Sequence, residues 1–130
     1  MGGIRLEDTS IKVLVVDDSQ TIRKSAEFYL QRHRYQVLTA EDGFDALGKV
    51  VDFRPDLIVL DIVMPRLDGY QTCAIIRRNP EFRATPIVML SGKDGVFDRA
   101  RGRLVGASDY ITKPFEEHKL IDSVRIFTSR

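Results

Sequence analysis

Residues 55–65 read PDLIVLDIVMP, and the fold follows from where that stretch must sit. Leu57 to Leu60 is an unbroken apolar run of strand length behind Pro55, the pattern of a parallel strand covered on both faces rather than of one with a wet side. Asp61 follows it directly, so its carboxylate falls where the strand leaves the core. In open α/β sheets ligands bind at that carboxyl edge, where loops and helix N-termini converge. Position alone makes Asp61 a candidate functional residue.

Outward from this strand the chain alternates. Lys12 to Val16 is a buried strand ending in Asp17 and Asp18, with Ser19 as a helix N-cap and Ile22, Ala26, Tyr29 and Leu30 as the inner helix face up to His33. Tyr35 to Thr39 is expected as a second strand, followed by a helix burying Phe44, Leu47 and Val51. After Pro65 a helix runs from Leu67 to Arg78 and is closed by Asn79-Pro80. Ile87 to Leu90 forms a fourth strand ending at Ser91. Lys93-Asp94-Gly95 then leads into a helix with Phe97, Ala100 and Leu104 inward, stopping near Gly106. Asp109 to Thr112 is a short fifth strand before Lys113-Pro114-Phe115. The last helix, Glu116 to Phe127, turns Leu120, Ile121, Val124 and Phe127 inward. Strands alternating with helices through long crossovers give an α/β fold, a parallel sheet sandwiched between helices.

Composition sets the functional class. A length of 130 residues with 43% apolar content gives one domain, expected over residues 11–130 behind a flexible tail at 1–10. A net charge of +1 excludes nucleic-acid binding as the main task. The lone Cys73 fits a reducing compartment and is expected as a small buried or half-buried hydrophobe. No run approaches the ~18 apolar residues that would span a bilayer. The first ten residues lack the apolar core of a signal peptide, so a cytoplasmic location without membrane insertion is expected. Phosphate-loop, dinucleotide and serine-hydrolase patterns are absent from the sequence.

Parallel strands would bring Asp17, Asp18, Asp61, Ser91 and Lys113 to one edge of the sheet. Carboxylates packed there repel, at about 4 kcal/mol for two unit charges ~4 Å apart with an effective dielectric of ~20. A divalent cation relieves that cost, and oxygen-only ligands favour a hard ion such as Mg²⁺. Such a site suits phosphoryl transfer to Asp61 as nucleophile, with the metal and Lys113 neutralising the equatorial oxygens and Ser91 donating to the phosphoryl group. None of these groups is expected to need a shifted pKa. Each residue also has a bland reading. The Asp pair could serve only a helix dipole, Asp61 could be a solvated strand end, Ser91 a turn residue and Lys113 a surface charge. Their coincidence at four strand ends, those of the first, third, fourth and fifth strands, argues against that.

VLVVDDS, the D-x-x-M-P of Asp61 to Pro65, Ser91 after an apolar strand and Lys113-Pro114-Phe115 together resemble the receiver domain of bacterial two-component response regulators, over roughly residues 11 to 127. The resemblance implies a flavodoxin-like three-layer sandwich of five βα units with strand order 2-1-3-4-5, of which the chemotaxis receiver is a standard example. It implies that Asp18 ligates Mg²⁺, that Asp17 supports it and that the Val63 carbonyl adds a ligand. It also implies a cis Lys113-Pro114 bond, and a switch in which Ser91 moves inward and Tyr110 follows. The phosphate donor would be a histidine kinase or its phosphotransfer domain. A downstream protein would read the face of the fourth helix, fifth strand and fifth helix, made basic by Arg99, Arg101, Arg103, Lys119 and Arg125, so that an acidic partner is expected. The chain would be a monomer or weak dimer and no enzyme beyond its own phosphotransfer and dephosphorylation. Val63 and Lys93 occupy positions that vary between receivers and set the phosphate lifetime. DGFDAL, MPRLDGYQTC and SGKDGVFD are most similar to the stand-alone, PilG-like receivers of the twitching-motility, type IV pilus pathway.

Two rivals remain. A Mg²⁺-dependent aspartyl-phosphate phosphatase would carry D-x-D-x-T on its first strand, which Asp17-Asp18-Ser19 does not match. A receiver-like interaction module would work without phosphorylation.

Overall fold

Strands and helices alternate throughout the computed structural model, which describes residues 10–92 and 96–129, the side chains of 96–98 excepted. The strands are β1 (Lys12–Val16), β2 (Gln36–Ala40), β3 (Leu57–Asp61), β4 (Ile87–Ser91) and β5 (Asp109–Thr112). The helices are α1 (Gln20–Arg32), α2 (Gly43–Phe53), α3 (Gly69–Arg78), α4 (Val96–Val105) and α5 (Glu117–Thr128). All four strand pairings are parallel and the order is β2-β1-β3-β4-β5, which is the expected fold.

The central strands are apolar on both faces because both are covered. Leu14, Val16, Ile58, Leu60, Ile87 and Met89 pack with Ala46 and Val50 of α2 and Tyr70, Cys73 and Ile76 of α3. The alternate residues Val13, Val15, Leu57, Val59, Val88 and Leu90 pack with Ala26 and Leu30 of α1 and Leu120, Ile121 and Val124 of α5. The period of two along each strand thus sorts the core into two layers.

Two expected helix faces are corrected. In α2 Phe44 is 55% and Val51 49% exposed, while Gly43, Ala46 and Val50 face the sheet. The small residues face inward because α2 presses on α3, so closely that a Cβ on Gly43 would meet the Thr72 hydroxyl and sit 2.9 Å from Leu67 Cδ2. In α4 Leu104 is 86% exposed and Ala100 is exposed, whereas Gly102 is buried and Val105 packs on the core. Phe97 lies among the side chains outside the described residues, as do Lys93 and the tail at 1–9. Strand β2 begins one residue later than expected. Helix α3 begins two later, at Gly69, because Asp68 caps it in a reciprocal box with Gln71. Among the described residues no helix is long and apolar enough to cross a membrane.

Candidate functional site

The carboxyl ends of β1 and β3 are neighbours in the sheet, and this is what assembles the site. Asp17 leaves β1 fully buried. Its N–H donates to the Ala40 carbonyl at 3.2 Å, and its Oδ1 accepts the Ser19 N–H at 2.9 Å. Ser19 in turn accepts the Ile22 N–H at 3.3 Å and starts α1, so the turn that orients Asp17 also caps the helix. Asp18 is exposed at the rim. Asp61 ends β3 with 1% of its surface accessible.

Lys113 follows β5 directly and is joined to Pro114 by a cis bond, and its Nζ donates to Asp61 Oδ1 at 2.9 Å and to Asp17 Oδ2 at 3.4 Å. One side-chain oxygen from each of Asp17, Asp18 and Asp61 lies within 4.8 Å of the other two. The second Asp61 oxygen, Oδ2, is buried and has no hydrogen-bond partner among the described residues. A buried carboxylate oxygen left unsatisfied is costly. It sits among oxygen-only donors, and that set fits a hard divalent cation rather than zinc or copper.

The two central groups depart from their ordinary pKa values, yet both keep at pH 7 the charge the chemistry was expected to need. Burial pushes the Asp61 carboxyl up to about 6, against the pull of Lys113 and with help from Asp17 and Asp18. Burial works to lower the Lys113 ammonium, but its contacts with Asp61 and Asp17 outweigh it, so the group stays protonated with its pKa raised. A cation at the carboxylates would reverse the Asp61 shift, since it favours the ionised form.

Ser91 ends β4 beside β3, 1% exposed, with its hydroxyl donating to the Gly92 carbonyl at 3.0 Å. Val63 is 75% exposed at the mouth of the site and offers no polar side-chain group. Tyr110 is half-buried on β5. The Arg99 guanidinium lies 4.5 Å from its ring centroid, and its hydroxyl is buried without a partner among the described residues.

The face beyond it is less basic than expected. Arg101 turns to the other side of α4, 4.3 Å from the Tyr70 ring centroid on α3, and Arg125 borders a different groove with His33 and Glu117. A groove of about 810 Å³ along β5 and α5 carries both signs, Arg99 and Lys119 with Asp109, Glu116 and Asp122, and an exposed Ile126.

Two residues that the sequence reading passed over shape the site. Gly69 opens α3 with its N–H on the Ile62 carbonyl at 2.8 Å. A Cβ there would collide with the Asp61 carbonyl oxygen and come within 2.7 Å of Ile62 Cα. The Asp68-Gly69 pair at a helix start was the available signal. Arg23, six positions beyond Asp17, donates from Nη1 to the Asp17 carbonyl at 2.8 Å. No pattern in the sequence marks it.

With this geometry in place, comparison with known proteins gives a consistent answer. The response regulator receiver domain family matches residues 13–125. The chain is 52% identical to protein PilG of Pseudomonas aeruginosa over 119 residues, 92% of this chain and 88% of PilG. It is 42% identical to the alkaline phosphatase synthesis transcriptional regulatory protein PhoP of Bacillus subtilis, covering 92% of this chain and 49% of PhoP. Its backbone superposes on the chemotaxis protein CheY4 of Vibrio cholerae with a TM-score of 0.88 at 35% identity, covering 91% of this chain and 98% of CheY4.

Proposed function

This chain belongs to the response regulator receiver family, and on that premise we propose that it accepts a phosphoryl group on Asp61 from a histidine kinase or its phosphotransfer domain. The observation that carries this reading is the buried Asp61 carboxylate, whose Oδ1 accepts the Lys113 ammonium at 2.9 Å while Oδ2 has no partner among the described residues, with an oxygen each of Asp17 and Asp18 within 4.8 Å of the carboxylate. Asp17, Asp18, Asp61 and the Val63 carbonyl would hold Mg²⁺. When bound, it keeps Asp61 ionised at neutral pH and offsets charge on the phosphoryl oxygens.

A carboxylate oxygen of Asp61 attacks phosphorus, the P–N bond of the donor phosphohistidine breaks, and the released imidazole takes a proton from solvent. Lys113 stands where it can stabilise the equatorial oxygens. Ser91 turns its hydroxyl from Gly92 to the new phosphoryl group, and Tyr110, whose hydroxyl lacks a partner among the described residues, repacks with it. Later attack by water on phosphorus breaks the acyl phosphate and returns the Asp61 carboxylate with inorganic phosphate. Val63 has no group to orient that water, so the phosphorylated form is long-lived.

Downstream protein binding is assigned to the groove along β5 and α5. Its mixed charges and Ile126 favour a partner with complementary charges around an apolar anchor. The 52% identity with PilG supports a place in type IV pilus signalling. Incubation with Mg²⁺ and acetyl phosphate, followed by intact mass measurement, should add one phosphoryl group to the wild type and none to Asp61→Ala. A wild type that gains nothing, while an Asp61→Asn chain still signals in cells, would instead make this a module that works without phosphorylation.

A further inference from the structure

We infer that Arg23 is a positioning residue for the acidic pair: its guanidinium fixes the peptide joining Asp17 to Asp18 and so presents both carboxylates to a divalent cation. The inference rests on the metal reading above and deepens it.

Every other polar atom of Asp17 is already committed. Its N–H goes to Ala40, its Oδ1 to Ser19 N–H and its Oδ2 to Lys113. The carbonyl oxygen takes the Arg23 guanidinium at 2.8 Å. That carbonyl belongs to the peptide plane that leads into Asp18, so its orientation sets where Asp18 begins. Asp18 needs this help. It is exposed, and among the described residues no side chain or backbone group holds its carboxylate.

Arg23 is itself well placed to act as an anchor. It is half-buried on α1, and its N–H is bonded to the Ser19 carbonyl at 3.0 Å, so the helix that Asp17 and Ser19 start returns a side chain to lock the turn. Outer-shell groups of this kind typically change metal affinity by tenfold or more when removed.

The sign of the effect separates positioning from charge. Arg23 is a cation beside an acidic cluster and works against an incoming cation, so if charge were its only influence, removing it would tighten Mg²⁺ binding. If it positions the pair, removing it weakens binding. The experiment is calorimetric titration of Mg²⁺ into wild type, Arg23→Ala and Arg23→Lys, each shown folded by circular dichroism. Arg23→Ala is expected to bind about tenfold more weakly. Arg23→Lys, whose ammonium also donates to a carbonyl, is expected to recover most of that loss. Should Arg23→Ala fail to fold, Arg23→Met, which keeps the apolar stem, carries the same expectation. Equal or tighter binding by the folded Ala or Met variant overturns the inference while leaving the metal reading intact. A wild type that takes up no Mg²⁺ overturns both.

Discussion

Replacing Asp61 with Asn should stabilise the metal-free protein at neutral pH, although it removes the group on which the chemistry depends. Burial, opposed by Lys113 and aided by Asp17 and Asp18, lifts the Asp61 carboxyl in the folded chain from 3.8 to about 6. A folded-state pKa above the unfolded one means that the native chain holds the proton more tightly. Between those two values the native state binds more protons than the unfolded one, so stability falls as pH rises. The penalty is absent below the unfolded pKa, grows from there to about 6, and is complete above it. At about 1.4 kcal/mol for each tenfold in proton affinity it reaches about 3 kcal/mol. The attraction to Lys113 is already contained in that shift, so it is not subtracted again. For a chain of this size it corresponds to about 10 °C in Tm. Thermal melts followed by far-UV circular dichroism in EDTA should show the two proteins close together in mild acid and Asp61→Asn clearly higher at neutral pH. Millimolar Mg²⁺ should raise the wild type and narrow the gap. Parallel profiles across the whole range, or a less stable Asn variant at neutral pH, would refute the reasoning.

Lys113→Met leaves the buried Asp61 and Asp17 carboxylates facing each other. Because the Lys113 side chain is 25% exposed, the loss in metal-free urea unfolding should be about 1–3 kcal/mol rather than that of a fully buried pair. An unchanged midpoint would show that solvent already screens the pair. Gly69→Ala drives a methyl group into the Asp61 carbonyl. It should cost roughly 1–3 kcal/mol and slow labelling by acetyl phosphate; a variant that labels at the wild-type rate would mean α3 shifts freely. Val63→Asn supplies an amide at an exposed position at the mouth of the site. It should shorten the lifetime of the phosphorylated protein in a mass-spectrometric decay course, and equal half-lives would remove Val63 as the reason for slow turnover.

The sheet was legible because both faces of β3 and β4 are covered and the sequence there is apolar without interruption. Strand ends then follow from the first charged or hydroxyl residue, and those are Asp17, Asp61 and Ser91. The helices were read less well where apolar residues are few or lie on two sides. In α2, Phe44 is larger than Gly43 and Ala46, so size pointed to Phe44 while packing space against α3 chose the small residues; Val50 and Val51 are alike in size, and nothing in the residue type says which of them turns inward. In α4 a short list of apolar residues fits more than one stripe, and the sheet takes Gly102 and Val105 rather than Leu104. The pKa of Asp61 was beyond the sequence because it depends on depth, and depth is set by the neighbouring strands. Arg23 was invisible for a related reason: its partner is a backbone carbonyl, and no residue type records which carbonyls are left open.

The claim on which all of this depends is that Asp61 itself carries the phosphoryl group. Borohydride reduces an aspartyl phosphate to homoserine and leaves a free carboxylate untouched. Treating the acetyl phosphate-labelled protein with borohydride and mapping its peptides should place homoserine at position 61 and leave Asp17 and Asp18 as aspartate. Homoserine at either of those two positions, or at none, would contradict the account.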